Sequence, residues 1–289
     1  MASADNSSAV VLDVFGSSSR SRTVSNVVAR LVTMEDVAAV PIRIENRSFL
    51  NCRFEKIQLR PTRFYRCSFK DVSFDRCELR DLRMWDCEMR SCSFNGSKLR
   101  GAGIGGVDNN SANRFTESSF AGADLRECDM GVAEFRSCDF TDAKLQRSSF
   151  PSCVLKGCTF AGKLTEVDFG LVTNQQSLVP RPVQIDQCDF SEALLKYCRF
   201  GWIQATDVRW PPTSHCWVFD GRQYDDLVQI LHDSALSDPS SAAEEGYKYL
   251  RNSRVGNVIV LERCSFVELI GTLASEQLVS KFDSMCLNH

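Results

Sequence analysis

The chain has 289 residues, 43% apolar and 25% charged, with 34 Lys and Arg against 37 Asp and Glu for a formal charge of −3. That balance belongs to a globular protein rather than a disordered one, and no apolar run approaches the roughly 18 residues of a spanning helix. The anomaly is 14 Cys and 19 Phe beside only 3 His and 5 Tyr; disulfide scaffolds are normally short chains without a core, and this chain is long enough to build one.

In chain order, Met1 to Asn6 lacks a basic region and Ala9 to Val14 is a short apolar run broken by Asp13. No secretory leader is expected, and the expected compartment is cytoplasmic or nuclear, where thiols stay reduced. Residues 1–41 read as an N-terminal cap. A strand at Val10 to Phe15 is followed by a helix over Ser25 to Ala39, because Val24, Val27, Val28, Leu31, Val32 and Val37 recur near helical spacing.

From Ile44 the period changes to five. Every fifth residue through Phe49, Phe54, Leu59 and Phe64 to Ile104 is large and apolar, and two residues before each stands a small or apolar one such as Cys52, Cys67, Val72 or Cys77, Arg47 excepted. The series slips at Val107 to Arg114, resumes from Phe115 to Phe160, and returns after a Pro180/Pro182 insertion at Ile185, Phe190, Leu195 and Phe200. A last copy is read at Cys264 to Phe266. Neither a 3.6 nor a 2.0 period explains this, whereas a coil turning a corner after each short extended segment does. Each unit buries too little alone and needs stacked neighbours.

Through units such as Cys67-Ser-Phe-Lys-Asp, Ala123-Asp-Leu-Arg-Glu and Cys138-Asp-Phe-Thr-Asp, the chain resembles the pentapeptide-repeat family over about residues 42 to 205. The resemblance implies an all-β solenoid, a right-handed four-sided β-helix with four pentads per coil, here about seven coils with helical caps. Residues twenty apart then stack at about 4.8 Å. Phe54, Phe74 and Phe94 make one column, Leu59, Leu79 and Leu99 another, and Phe120, Phe140 and Phe160 a third. Twelve cysteines take the small inward position if Cys264 is counted, and sixteen phenylalanines the large one if Phe169 and Phe266 are counted. The cysteines are thus expected as free, buried thiols. Cys87/Cys92 and Cys153/Cys158 have a Cys-x4-Cys spacing, but successive pentads face different walls and no His accompanies them, so no metal and no cofactor is expected.

The expected organisation is a cap at 1–41, the β-helix at 42–210 with interruptions near 107–112 and 170–183, an aromatic loop and helical insertion at 211–258, and a final coil strand with a C-terminal helix at 259–289. Helices are predicted over Asp225 to Ala235, from a Ser241-to-Glu244 capping box to about Arg251, and around Leu269 to Phe282. The C-terminal helix either covers the last coil or pairs two copies, leaving monomer or homodimer.

Function on such a rod belongs to outward positions. Arg60, Arg80 and Arg100 form one expected column, Tyr65 and Trp85 the next, flanked by Arg63 and Arg83, and Lys70 with Arg90 another. Residues 51–100 carry 12 Lys and Arg against 7 Asp and Glu. Stacked guanidiniums beside aromatic rings suit an acidic protein partner, with nucleic acid as an alternative; solvated ion pairs across the ladder are the simpler reading. The primary expectation is a non-enzymatic scaffold for protein–protein interaction. In the family the resemblance also implies a DNA mimic that binds type II topoisomerase, which needs a strongly negative face; Glu127, Asp129, Glu134 and Asp139 are a local acidic stripe at most. A third alternative is an enzyme or small-molecule binder in the Trp202 to Phe219 region, pairing Cys216 with His215 or His232, against packing of an aromatic lid.

Overall fold

The computed structural model of the chain describes residues 23–30, 42–59, 61–108, 111–170, 181–237, 242–251, 257–270 and 275–287. The five-residue period has a backbone origin. Two residues beyond most of the large inward side chains stands a corner residue in the left-handed region, for example Asn51 at φ 51°, Arg66 at 53°, Asp81 at 57° and Glu127 at 60°. Asn, Asp and Gly accept that conformation most readily. The chain turns there, so residues on both sides of it lie on different walls.

The walls are parallel ladders. The longest is nine strands deep, running Thr23–Ser25, Ser48–Leu50, Ser68–Lys70, Glu88–Arg90, Arg114–Thr116, Glu134–Arg136, Val154–Lys156, Val183–Asp186 and Ile203–Thr206. Phe49 pairs with Phe69 and Phe69 with Met89, the twenty-residue register. From Met89 to Phe115 the step is longer. The extra chain leaves as an antiparallel excursion in which Gly103–Asp108 pairs with Ser111–Ala112.

The inward positions are buried almost without exception, from Ile44 to Ile203. Two columns expected separately are one. Phe54, Phe74, Phe94, Phe120, Phe140, Phe160, Phe190 and Trp210 stack in an unbroken line with centroids 4.6 to 5.4 Å apart. The insertions loop outward and rejoin in phase. Each such ring contributes about 1.5–3 kcal/mol by burial, and the near-native packing density explains why like residues follow like.

The N-terminal helix is a correction. Thr23–Ser25 and Val28–Arg30 are strands that pair in parallel with Ser48–Leu50 and Arg53–Glu55, and Asn26 takes the corner conformation between them at φ 55°. Val24 is buried while Val28 is 58% exposed, because the corner at Asn26 resets the inward phase between the two strands. Thr23–Ser25 is the first of the nine strands of the long ladder. The rest of residues 1–41 lies outside the described residues.

Beyond Trp210 the chain leaves the solenoid. Cys216–Asp220 pairs antiparallel with Val258–Glu262, and this ribbon has two buried faces. Cys216, Val218 and Val260 join the solenoid core, whereas Trp217, Phe219, Ile259 and Leu261 join a second core. Helices α1 (Gly221–Ser237), α2 (Ala242–Leu250), α3 (Arg263–Ile270) and α4 (Ser275–Met285) supply the rest. An Asp220/Gln223 box caps α1, each side chain meeting the other's backbone N–H at 3.0 and 2.8 Å. The final pentad at Cys264 to Phe266 is a correction as well: these residues lie on α3, with Cys264 exposed and Phe266 in the second core. The 259–289 segment therefore contributes a ribbon strand and helices, not a coil.

Candidate interaction surface

The outward columns form in the expected register, since Arg63 pairs with Arg83, Tyr65 with Trp85 and Lys70 with Arg90. Their electrostatic states differ. Arg80 bonds Glu78 at 2.5 Å, and Arg100 grips Glu127 through Nε and Nη2 at 3.1 and 2.9 Å. Arg147 reaches the same carboxylate at 2.5 Å, and the guanidiniums of Arg100 and Arg147 hold the Glu127 carboxyl below its ordinary range. Arg60 lies outside the described residues. The expected arginine column is thus a set of ion pairs where it is described.

The aromatic pair has a neighbour on each side. Tyr65 and Trp85 stack at 4.5 Å and 5°, and the Arg43 guanidinium lies 4.2 Å from the Tyr65 ring centroid. The next layer against Trp85 is Gly106, where a Cβ would come within 2.6 Å of the indole Cδ1. Gly105 is pressed equally against the Met130 backbone. Both rings are half-buried, and Trp85 also lines a groove with Arg83, Glu127 and Asp129. Arg83 is likewise engaged, donating to the carbonyls of Gly101 at 2.6 Å and Leu82 at 3.1 Å.

Three of the predicted surface cations are different. Arg63, Lys70 and Arg90 are exposed and pair with no carboxylate among the described residues. Lys70 and Arg90 stand on adjacent coils of the long ladder, and Arg63 lies on the neighbouring wall. The acidic stripe lacks their freedom. Glu127 is shared by two arginines, Glu134 pairs with Arg136, and Asp129 and Asp139 accept backbone N–H bonds from Gly131 and Thr141 at 2.8 and 2.9 Å.

The His215/Cys216/His232 constellation does not assemble as an exposed nucleophile with its base. Cys216 is fully buried in the ribbon, facing the solenoid core, and burial pushes its thiol up to about 12. His215 Nδ1 meets Ser214 Oγ at 3.2 Å. His232 sits on α1 with its ring 5.0 Å from Tyr247. A thiol this protonated, without access, is no nucleophile. The neighbouring Trp217 is structural: its indole donates to Asp283 at 2.7 Å, and Arg263 covers the ring at 5.0 Å while bonding Asp283 at 2.6 Å.

Among the described residues no cluster of His, Cys, Asp and Glu has a metal-binding arrangement, and no helix is long and apolar enough to cross a membrane. Sequence reasoning did not single out Asn113. Its buried amide accepts from Cys87 N at 2.7 Å and donates to Met84 O and Ile104 O at 2.9 and 2.6 Å. The signal was available in part: Asn113 is a polar residue in an otherwise small or apolar series, at the point where the period slips.

Residues 49–102 and 133–162 match the family model for pentapeptide repeats, in eight copies. No curated protein matches the chain. Among solved structures, HetL, a pentapeptide repeat protein involved in heterocyst differentiation regulation from the cyanobacterium Nostoc sp. Strain PCC 7120, is 14% identical, with 64% of this chain and 84% of that one covered and a TM-score of 0.39. Trypsin-treated QnrB1, a plasmid-mediated fluoroquinolone resistance protein, is 18% identical over 65% and 85%, with a TM-score of 0.37. Likenesses of this size transfer no property to this chain.

Proposed function

The chain belongs to the pentapeptide-repeat family, and from that premise we propose that it is a non-enzymatic scaffold whose basic walls bind an acidic protein surface. The observation that carries this reading is the set of exposed cations Arg63, Lys70 and Arg90, which have no carboxylate partner among the described residues. Like charges held about 4.8 Å apart on a ladder repel unless an anion lies across them. The inward positions are committed to packing, and the Arg80 and Arg100 columns to ion pairs. The proposed body is a right-handed, four-sided solenoid of reduced thiols in the cytoplasm or nucleus. Its C-terminal ribbon and helices act as a cap on one chain, so homodimerisation is not required for closure.

Retention on immobilised polyglutamate at low salt tests the reading. The wild type is expected to bind and elute with salt, since exposed charges are screened; Arg63→Glu, Lys70→Glu and Arg90→Glu combined should abolish retention with an unchanged melting temperature. Equal retention of the triple variant would remove the basis for this surface. Inhibition of DNA gyrase by the purified protein would instead favour the DNA-mimic reading, which the paired state of Glu127 and Glu134 does not support.

A further inference from the structure

The long wall stacks without a break to the last coil, where the Asn257 side-chain amide closes it by accepting from Ala205 N at 2.8 Å and donating to Ala205 O at 3.0 Å. The neighbouring wall breaks its register in mid-rod instead. Arg83 pairs with Gly103 but Trp85 pairs with Gly106, so the upper strand carries one residue more than the lower, a bulge. Bulges re-aim side chains and are over-represented next to functional sites.

Gly103 also bridges to Asp129 on the following coil. Arg83, Gly103 and Asp129 are therefore successive places in one outward column, about 10 Å from first to last by strand spacing, and the middle one has no side chain. The gap is a groove of about 330 Å³, with Arg83 and Trp85 on one side and Glu127 and Asp129 on the other.

Each charged group here is anchored to backbone and left half free. The Arg83 side chain lies along Gly103, where a Cβ would come within 2.9 Å of its Cδ, and its Nη1 donates to Gly101 O and Leu82 O. Its Nε and Nη2 have no acceptor among the described residues. One oxygen of Asp129 accepts from Gly131 N at 2.8 Å, and the other has no donor among the described residues. Glu127 adds no free charge, because Arg100 and Arg147 share it. The Trp85 indole N–H has no acceptor among the described residues either, and a Cβ on Gly106 would come within 2.8 Å of that nitrogen, so glycine keeps a side chain off it.

We propose that this groove binds a free α-amino acid, its carboxylate on the Arg83 Nε and Nη2 edge and the Trp85 N–H, its ammonium on the open oxygen of Asp129. A cation and an anion fixed across one small gap match a ligand that carries both charges on neighbouring atoms, and the forked guanidinium suits a carboxylate. A simple anion or cation would meet a like charge in the groove, and a peptide terminus brings only one of the two. The groove is open to solvent, which screens its charges, so affinity is millimolar.

Isothermal titration of the full chain with glycine, L-glutamine and L-phenylalanine tests the proposal. Saturable heat is expected for at least one of them. The N-acetylated and the amidated forms of that amino acid, each lacking one charge, should bind about tenfold or more weakly. Asp129→Asn should erase the preference over the acetylated form and Arg83→Gln the preference over the amide, a crossover that loss of structure would not produce. The capped ligands need no change in the protein and so decide the matter if a variant misfolds. No saturable binding by any of the three, or equal binding of free and capped forms, would overturn the proposal; so would equally tight binding of glucose, which would mark a groove for hydroxyls.

Discussion

The solenoid and the C-terminal cap bury the same kinds of side chain but differ in how rings from successive layers meet. In the solenoid, rings on successive coils lie nearly parallel, as in Phe94 on Phe120 at 3° and Phe120 on Phe140 at 4°. In the cap they meet edge to face, as in Trp217 against Phe266 at 88° and Phe219 against Phe282 at 89°. A translational repeat superimposes identical environments, so each ring inherits the orientation of the one beneath it. The cap has no repeat, and its rings take the edge-to-face geometry that aromatic quadrupoles also favour. Periodicity therefore sets the parallel stacking along the coil axis, whereas rings of neighbouring columns within the solenoid also meet edge to face, as in Phe64 against Phe69 at 87°.

The contrast is broken most directly by Phe120→Ala in the middle of the continuous column. The ring is buried between Phe94 and Phe140, so about 3–5 kcal/mol is expected from cavity formation. Urea unfolding measures it, and a loss below about 1 kcal/mol would mean that neighbouring coils collapse onto the gap. In the cap, Trp217→Phe keeps much of the apolar bulk but deletes the bond to Asp283. A smaller cost of about 1.5–3 kcal/mol is expected for this charge-assisted bond, with hydrogen exchange accelerated in α1 and α4 before the solenoid ladders. Uniform acceleration would show that the two cores unfold as one.

Thiol chemistry sharpens the same division. Burial pushes Cys77 and Cys128 up to about 12, and Cys87 well up through its shared hydrogen bond with Cys67 together with burial. In native protein at pH 8, mass-detected alkylation should mark Cys264 on α3 first, the solenoid cysteines following only as the chain opens. Early labelling of Cys77 or Cys128 would contradict the packed column. The smallest effect is electrostatic. The Glu127 carboxyl is held low by Arg100 and then Arg147, so its contribution is fully present above the ordinary carboxylate pKa and disappears as pH falls through the lowered one. Glu127→Gln should flatten this acid limb of the melting temperature slightly, and an unchanged limb would show the pairs to be energetically silent.

Legibility followed the repeat. The inward series from Ile44 to Phe200 could be read because a large residue every fifth place has no other common explanation. Val24 and Val27 looked helical because isolated spacing cannot distinguish a short β-branched run from an amphipathic turn, and only pairing of Thr23–Ser25 with Ser48–Leu50 decides it. Cys264-Ser-Phe266 copied the motif, but its neighbours supplied no further pentad to stack on. At the surface, the columns of Arg80, Tyr65 and Lys70 were legible from the twenty-residue register, but their partners were not. Glu127 belongs to Arg100 across an irregular step, and Gly106 comes up against Trp85 through an excursion that breaks the period.

The 14 Cys and 19 Phe, and the five-residue order in which most of them recur, by themselves determined a tube with alternating small and large inward columns, because each local choice repeats the same geometry. Tertiary structure alone decided that Thr23–Ser25 and Val28–Arg30 belong to the tube, how its last coil is closed by Asn257 and the two-faced ribbon, and which of the described cations remain without a carboxylate. Those outcomes depend on pairings between residues far apart in the chain, where insertions change the register and no local pattern records the partner.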